Sequence, residues 1–170
     1  VTRRNAFRYA GVIESVYLMD EIDVEIIADG IHLPAPLLKL VCKIKGVDRI
    51  ALVTDAMRAA GTSAQESLLG SKKNGLKVII ENGVAKLPDR SSFAGSVATA
   101  DRLVRTMVEI AGIPLIEAVR MITLTPARIM NVDQHKGSIA IGKDADIVIL
   151  DHDINVQTTI IGGKILDKSF

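Results

Sequence analysis

The chain has 170 residues, 48% of them hydrophobic, with 21 basic side chains against 20 acidic and a formal charge of +1. That length suits one domain or a little more, burying roughly 70% of its unfolded surface, and so balanced a charge supplies no global field for holding nucleic acid or an anionic membrane. Three Phe, two Tyr and no Trp offer few stacking platforms, and a single cysteine, Cys42, excludes an intramolecular disulfide or a cysteine-rich metal knuckle and suits a reducing cytoplasm.

The opening residues carry a basic cluster, Arg3, Arg4 and Arg8, predicted as loop, followed by a helix over 11–21 with Val12, Ser15, Val16 and Met19 at helical spacing. The first residue is Val and no charged leader with an apolar stretch follows, so the start is expected to be a cut, with the chain part of something longer. Val24-Glu25-Ile26-Ile27-Ala28 predicts a short buried strand running into Asp29-Gly30. Pro34-Ala35-Pro36 then opens a helix over 37–45 that Gly46 ends. A second buried strand over 49–53 runs into Thr54-Asp55-Ala56, and strand, helix, strand implies a parallel β/α unit.

The stretch 57–92 is broken by Gly61, Gly70, Gly75 and Gly83 and predicts an excursion at about 68–88, with a hairpin of 77–80 and 84–87 around Glu81-Asn82-Gly83. Ser96 is expected to cap a helix whose apolar stripe is Val97, Ala100, Val104, Met107 and Ala111, closed by Gly112. Helices from Pro114 to Ile122 and from Pro126 to Met130 follow. From Gly137 the period becomes two, predicting antiparallel strands at Ile139 and Ile141, 146–150, 156–161 and 164–166. Apolar runs such as Ile147-Val148-Ile149-Leu150 fall far short of the roughly 20 residues that cross a bilayer. Residues 135–170 are too few for an independent sheet domain, so these strands need partners from elsewhere.

In a parallel α/β sheet, ligands bind at the carboxyl ends of the strands. Two such ends carry Asp29-Gly30-Ile31-His32 and Thr54-Asp55, on strands about 5 Å apart, so an imidazole and a carboxylate can face one pocket. The plainer alternatives are a loop histidine bonded to backbone and a carboxylate capping a turn. Gly95-Ser96 before a helix can offer amides to an oxygen ligand or be a plain cap. His135 and His152 lie in a polar stretch and are expected to face solvent. No His-x-His, His-x-x-x-His or Glu-x-x-His pair occurs, so a metal site of ordinary spacing is not expected from this chain alone. Asp144-Ala145-Asp146 lacks the remaining spaced acids and final Glu of a calcium loop.

Taken together, Ile27-Ala28-Asp29-Gly30-Ile31-His32, Leu52-Val53-Thr54-Asp55-Ala56, Phe93-Ala94-Gly95-Ser96, Thr125-Pro126-Ala127-Arg128 and the run 137–146, ending Gly-Lys-x-Ala-Asp, resemble the amidohydrolase superfamily in order and approximate spacing. Within it the whole chain is similar to the C-terminal half of the N-acetylglucosamine-6-phosphate deacetylase family. The resemblance implies an α/β fold: the C-terminal part of a metal-dependent (β/α)8 TIM barrel over 1–134, with its last two strands, and β-sandwich strands over 135–170.

It also implies hydrolysis of the acetamide of N-acetylglucosamine 6-phosphate to glucosamine 6-phosphate and acetate by a cytoplasmic homodimer. The implied cofactor is a divalent metal, zinc or iron, held mainly by residues upstream of Val1, so the chain alone is expected to be inactive. Asp55 matches the family's catalytic carboxylate, which takes a proton from metal-bound water and delivers it to the leaving amine; the lowered pKa of such water suits that transfer. His32 matches a substrate-binding histidine, and Phe93, Ala94 and Gly95 match the segment whose backbone meets the N-acetyl end. Arg8 matches the arginine that binds substrate phosphate, for which a guanidinium fork is suited. Ala10 stands where that arginine motif has Pro, leaving Arg3 and Arg4 as competitors, and Ala94 stands where some members have Ser. A different amidohydrolase acting on a cyclic amide, such as a dihydroorotase, shares Asp55 and the Gly-Lys-x-Ala-Asp ending. A non-catalytic fragment, self-associating through unpaired strand edges, is the alternative from another class.

Overall fold

The computed structural model describes the backbone of residues 2–4 and 7–166 and the side chains of 10–166. At the start, where loop was predicted, β1 (Thr2–Arg4) and β2 (Phe7–Tyr9) pair antiparallel with Arg3 opposite Arg8. The basic cluster masked the strand preference of Phe7 and Tyr9. α1 (Val12–Leu18) begins where Gly11 N donates to Glu14 Oε2 at 2.9 Å, the back-bond of an acidic third helical position. It stops short of the predicted 21 because its last carbonyls have another partner. The buried Lys45 ammonium donates to Val16 O (3.2 Å) and Met19 O (2.7 Å).

β3 (Val24–Ile26) and β4 (Ile50–Leu52) pair in parallel, Val24 beside Ile50 and Ile26 beside Leu52, with α2 (Ala35–Lys45) and a 3-10 turn (Val47–Arg49) making the crossover. Gly46 stops α2 by taking φ 72°, a conformation without steric cost only for glycine. All three residues of β4 are buried, as a strand covered on both faces requires.

A 47-residue connection then leaves β4 for the next long helix. Inside it β5 (Glu66–Leu69), β6 (Leu76–Glu81) and β7 (Val84–Lys86) form an antiparallel sheet around a small core of Met57, Ala59, Val78, Ala85 and Ala94. The predicted hairpin is the β6–β7 half of this sheet. β5 escaped notice because Glu66-Ser67-Leu68-Leu69 has no β-branched residue to mark it.

α3 (Ala100–Glu109), α4 (Leu115–Ile122) and α5 (Leu124–Ile129) complete the main core, in which Leu38, Ile50, Leu103, Met107 and Met121 are fully buried. α3 starts three residues later than predicted, with Thr99 and not Ser96 at its N-cap. Ser96 is instead fully buried, held by a parallel bridge to Ala56.

The C-terminal sheet has the order β10 (Lys164–Ile165), β9 (Val156–Ile161), β8 (Ile147–Leu150), all antiparallel. Ile139 and Ile141 are not in a strand and stand 84% and 107% exposed. Their alternation belongs to a loop wound around Lys143, whose ammonium donates to Asp133 O, to Lys136 O (3.2 Å) and to Ser138 Oγ (2.7 Å). Asp146 Oδ1 accepts from Gly162 N at 2.8 Å, while Asp144 and Asp146 hold Lys136 at 2.8 and 2.6 Å. The Gly-Lys-x-Ala-Asp run is thus a clamp on the sheet. Arg105 of α3 ties that sheet to the core, donating to Asp153 O (2.9 Å), Ile154 O (3.0 Å) and Asn155 Oδ1 (2.8 Å). Between them Ile154, at φ 62°, is buried in the main core, an unusual conformation for a β-branched residue that Arg105 helps to hold.

Candidate active site at the carboxyl ends of the parallel strands

Because β3 and β4 are parallel, the loops that follow them leave from the same end. The first loop is organised by Asp29, whose side chain is fully buried. Its Oδ1 accepts from Ile31 N (2.9 Å) and His32 N (2.8 Å), and its Oδ2 faces His32 Nδ1 at 2.8 Å. Gly30, at φ 78°, makes the turn that allows this, with the Thr106 and Ile110 side chains of the α3 region beneath it. Burial pushes the Asp29 carboxyl up, but the two backbone donors and the imidazole outweigh it, and the group sits below its ordinary value.

The second loop begins at Asp55, exposed and in the left-handed region at φ 45°. Its carbonyl accepts from Ser96 N at 3.0 Å, and Met57 N donates to Ser96 O at 2.8 Å. The Ser96 amide is therefore occupied by Asp55 and not free to meet a ligand oxygen, and Ser96 Oγ accepts from Ala98 N at 2.9 Å. A non-glycine residue held at such a φ costs about 1 kcal/mol, and residues of this kind gather at functional sites.

The segment between Phe93 and Ser96 joins the two loops. Ala94 N donates to Ala85 O of β7 at 3.0 Å, and Phe93 bridges Lys86. The Phe93 ring lies against the His32 ring, centroids 4.7 Å apart and tilted by 50°. Gly95 takes φ 75°, and a Cβ there would stand 3.4 Å from Met57 Cβ and 3.6 Å from Asp55 O. His32, Phe93, Ala94, Gly95 and Asp55 thus form one continuous run of contacts. The side chain of Arg8 lies outside the described residues.

His135 is exposed, and His152 is 89% exposed beside Asp153. Cys42 is half-buried, and burial raises its thiol pKa, which makes it a poor nucleophile. Among the described residues no group of three His, Cys, Asp or Glu side chains is placed to hold a metal ion, and no helix is long and apolar enough to cross a membrane. Two residues of this region have roles that were not drawn from the sequence. Asp29 bonds the ring it precedes by three positions, a spacing readable in Asp-Gly-Ile-His. Arg102 of α3 donates to Asp29 O (3.1 Å) and to Gly83 O of the β6–β7 turn (3.0 Å), and no sequence signal announces it.

The amidohydrolase family pattern matches residues 6–166. The chain belongs to the amidohydrolase family. It is 38% identical over 158 residues to an N-acetylglucosamine-6-phosphate deacetylase of Lysinibacillus sphaericus, covering 93% of this chain and 39% of that one. A putative N-acetylgalactosamine-6-phosphate deacetylase of Escherichia coli K12 is 39% identical, over 84% of this chain and 81% of its own length. The crystal structure of N-acetylglucosamine-6-phosphate deacetylase from Pasteurella multocida superposes with a TM-score of 0.84 at 33% identity, covering 92% of this chain and 39% of that one. A Mycobacterium smegmatis deacetylase variant in complex with N-acetyl-D-glucosamine-6-phosphate superposes at 0.80 and 31% identity, over 95% of this chain and 43% of that one. The chain therefore spans about two fifths of the length of the Lysinibacillus and Pasteurella deacetylases. Amidohydrolases are metal-dependent, and the described residues by themselves do not make the cage such an ion needs.

Proposed function

We propose that the complete protein hydrolyses the acetamide of N-acetylglucosamine 6-phosphate, giving glucosamine 6-phosphate and acetate. The observation that carries this is the position of Asp55, an exposed carboxylate at the carboxyl end of β4, its backbone pinned by Ser96 and linked through 93–96 to His32. In the reaction, water oxygen bonds to the acetyl carbon as the C–N bond breaks. Asp55 accepts the proton that water gives up and passes it to the departing nitrogen, so the amine leaves neutral and the carboxylate is restored. His32 hydrogen-bonds the substrate, the 93–95 backbone meets the N-acetyl end, and Arg8 binds the phosphate. The proposal includes a closed (β/α)8 barrel, 1–134 belonging to it and 135–170 to a β-sandwich. It also includes a divalent metal, zinc or iron, held mainly by residues outside this chain, and a cytoplasmic homodimer.

The similarity to a putative N-acetylgalactosamine-6-phosphate deacetylase supports a second reading, in which the substrate is the C4 epimer. The deciding experiment is acetate release by the complete metal-loaded protein from both 6-phosphates. Turnover is expected to be faster with the glucosamine substrate, and Asp55→Asn is expected to reduce kcat at least 100-fold. Arg8→Ala is expected to raise KM for the 6-phosphate by roughly 30-fold, about 2 kcal/mol. Full activity of Asp55→Asn, or turnover by the 170-residue chain alone, overturns the assignment. A KM indifferent to Arg8 removes that residue from the phosphate site.

A further inference from the structure

Resting on the reading of His32 as a substrate contact, we propose that Asp29 is its positioning residue, fixing the imidazole with a proton on Nδ1 so that Nε2 is the ring atom that meets the ligand. The carboxylate cannot swing away. Its Oδ1 is held by two backbone amides, Ile31 N at 2.9 Å and His32 N at 2.8 Å, and its side chain is fully buried. With one oxygen so fixed, Oδ2 is delivered to Nδ1 at 2.8 Å by the turn itself. An ionised carboxylate only accepts hydrogen bonds, so Nδ1 has to donate. The group is ionised at neutral pH because three donors overcome the effect of burial.

The ring is constrained a second time by Phe93, whose centroid lies 4.7 Å away. His32 keeps 15% of its side chain exposed, and among the described residues Nε2 has no hydrogen-bond partner. With Nδ1 committed to Asp29, Nε2 is the ring atom left for the ligand, accepting from a hydroxyl or amide N–H when the ring is neutral and donating to an oxygen when it is protonated. Arg102 steadies the arrangement from behind by bonding the Asp29 carbonyl at 3.1 Å.

Asp29→Asn separates this role from simple turn formation. The amide oxygen can still accept from Ile31 N and His32 N, so the turn is kept. The amide nitrogen then faces Nδ1 as a donor, which forces Nδ1 to accept and moves the ring proton to Nε2. Nitrogen-15 NMR of the histidine ring in the complete protein reads the two states directly, and the wild-type spectrum needs no variant. The expected result is a protonated Nδ1 in the wild type and an unprotonated Nδ1 in Asp29→Asn. In the variant KM is expected to rise about tenfold, with kcat changing less. An unprotonated Nδ1 in the wild-type protein overturns the proposal, as does a variant whose tautomer switches while KM stays the same. If the wild type releases no acetate from either 6-phosphate, the substrate reading falls, while the ring spectrum still decides what Asp29 does to His32.

Discussion

Arg102 joins three parts of the molecule around the candidate site, since it reaches from α3 to the turn of the inserted sheet and to the loop that carries His32. Replacing it by Ala removes a charged donor from two neutral carbonyls. Hydrogen bonds of that kind are worth about 1.5–3 kcal/mol when shielded from water. The bond to Asp29 O, at 3.1 Å and half-buried, is expected to approach the lower end of that range, and the bond to Gly83 O, at 3.0 Å and exposed, to contribute about 0.5 kcal/mol. The sum is about 2 kcal/mol, and with the urea dependence of roughly 4 kcal/mol per molar expected for a protein about two and a half times this length the unfolding midpoint should fall by about 0.5 M. The complete protein is the sample, and urea titration with hydrogen exchange of 76–86 is the assay.

Arg102→Lys supplies the control. A single ammonium is not a planar fork and reaches one of the two carbonyls, so about half of the loss should return. The exchange protection of the inserted sheet should drop in both variants more than that of α3. A loss below about 0.5 kcal/mol for Arg102→Ala, or complete recovery with Lys, would show that the two bonds are incidental to holding the loops together.

Two further outcomes follow from other parts of the molecule. Arg105→Ala is expected to cost about 3 kcal/mol, because three acceptors on 153–155 lose one donor and the Ile154 backbone loses its restraint; Lys should recover little, and urea unfolding of the pair checks this. Asp29 also contributes to acid sensitivity. Its folded value lies below the ordinary 3.8, so the stabilisation is present above 3.8 and is lost as pH falls through the lower folded value. The wild type should therefore lose stability below pH 3.8 more steeply than Asp29→Asn, and parallel acid-melting curves would contradict this.

The parallel unit was legible in the sequence because its signals are local and agree: two β-branched runs, Pro-initiated helix, Gly46 as the stop. The places of Asp55 at the exit of β4 and of His32 in the loop after β3 were legible for the same reason, while their part in the reaction belongs to the proposal. What stayed hidden depends on contacts between distant residues. Ser96 was taken for a cap because Ser precedes an apolar stripe, yet its amide is claimed by the Asp55 carbonyl 41 positions earlier. Ile139 and Ile141 alternate as strand residues do, but a lysine beyond them gathers the backbone into a loop. The bonds from Arg102 to residues 19 and 73 positions away leave no periodic trace at all.

The long connection after β4 comes back to where it started. Residues 57 to 95 depart beside Asp55 and return at Ser96, and two backbone hydrogen bonds, at 3.0 and 2.8 Å, close the neck. Whatever lies beyond that neck has already met its closure requirement, and lengthening a closed loop costs only about 0.6 kcal/mol per doubling. The inserted sheet can therefore be shortened, extended or exchanged without altering the spacing between β4 and α3. Asp55 and the module beyond the neck are in this sense separately evolvable: new loops can be grafted onto the neck while Asp55 keeps its place.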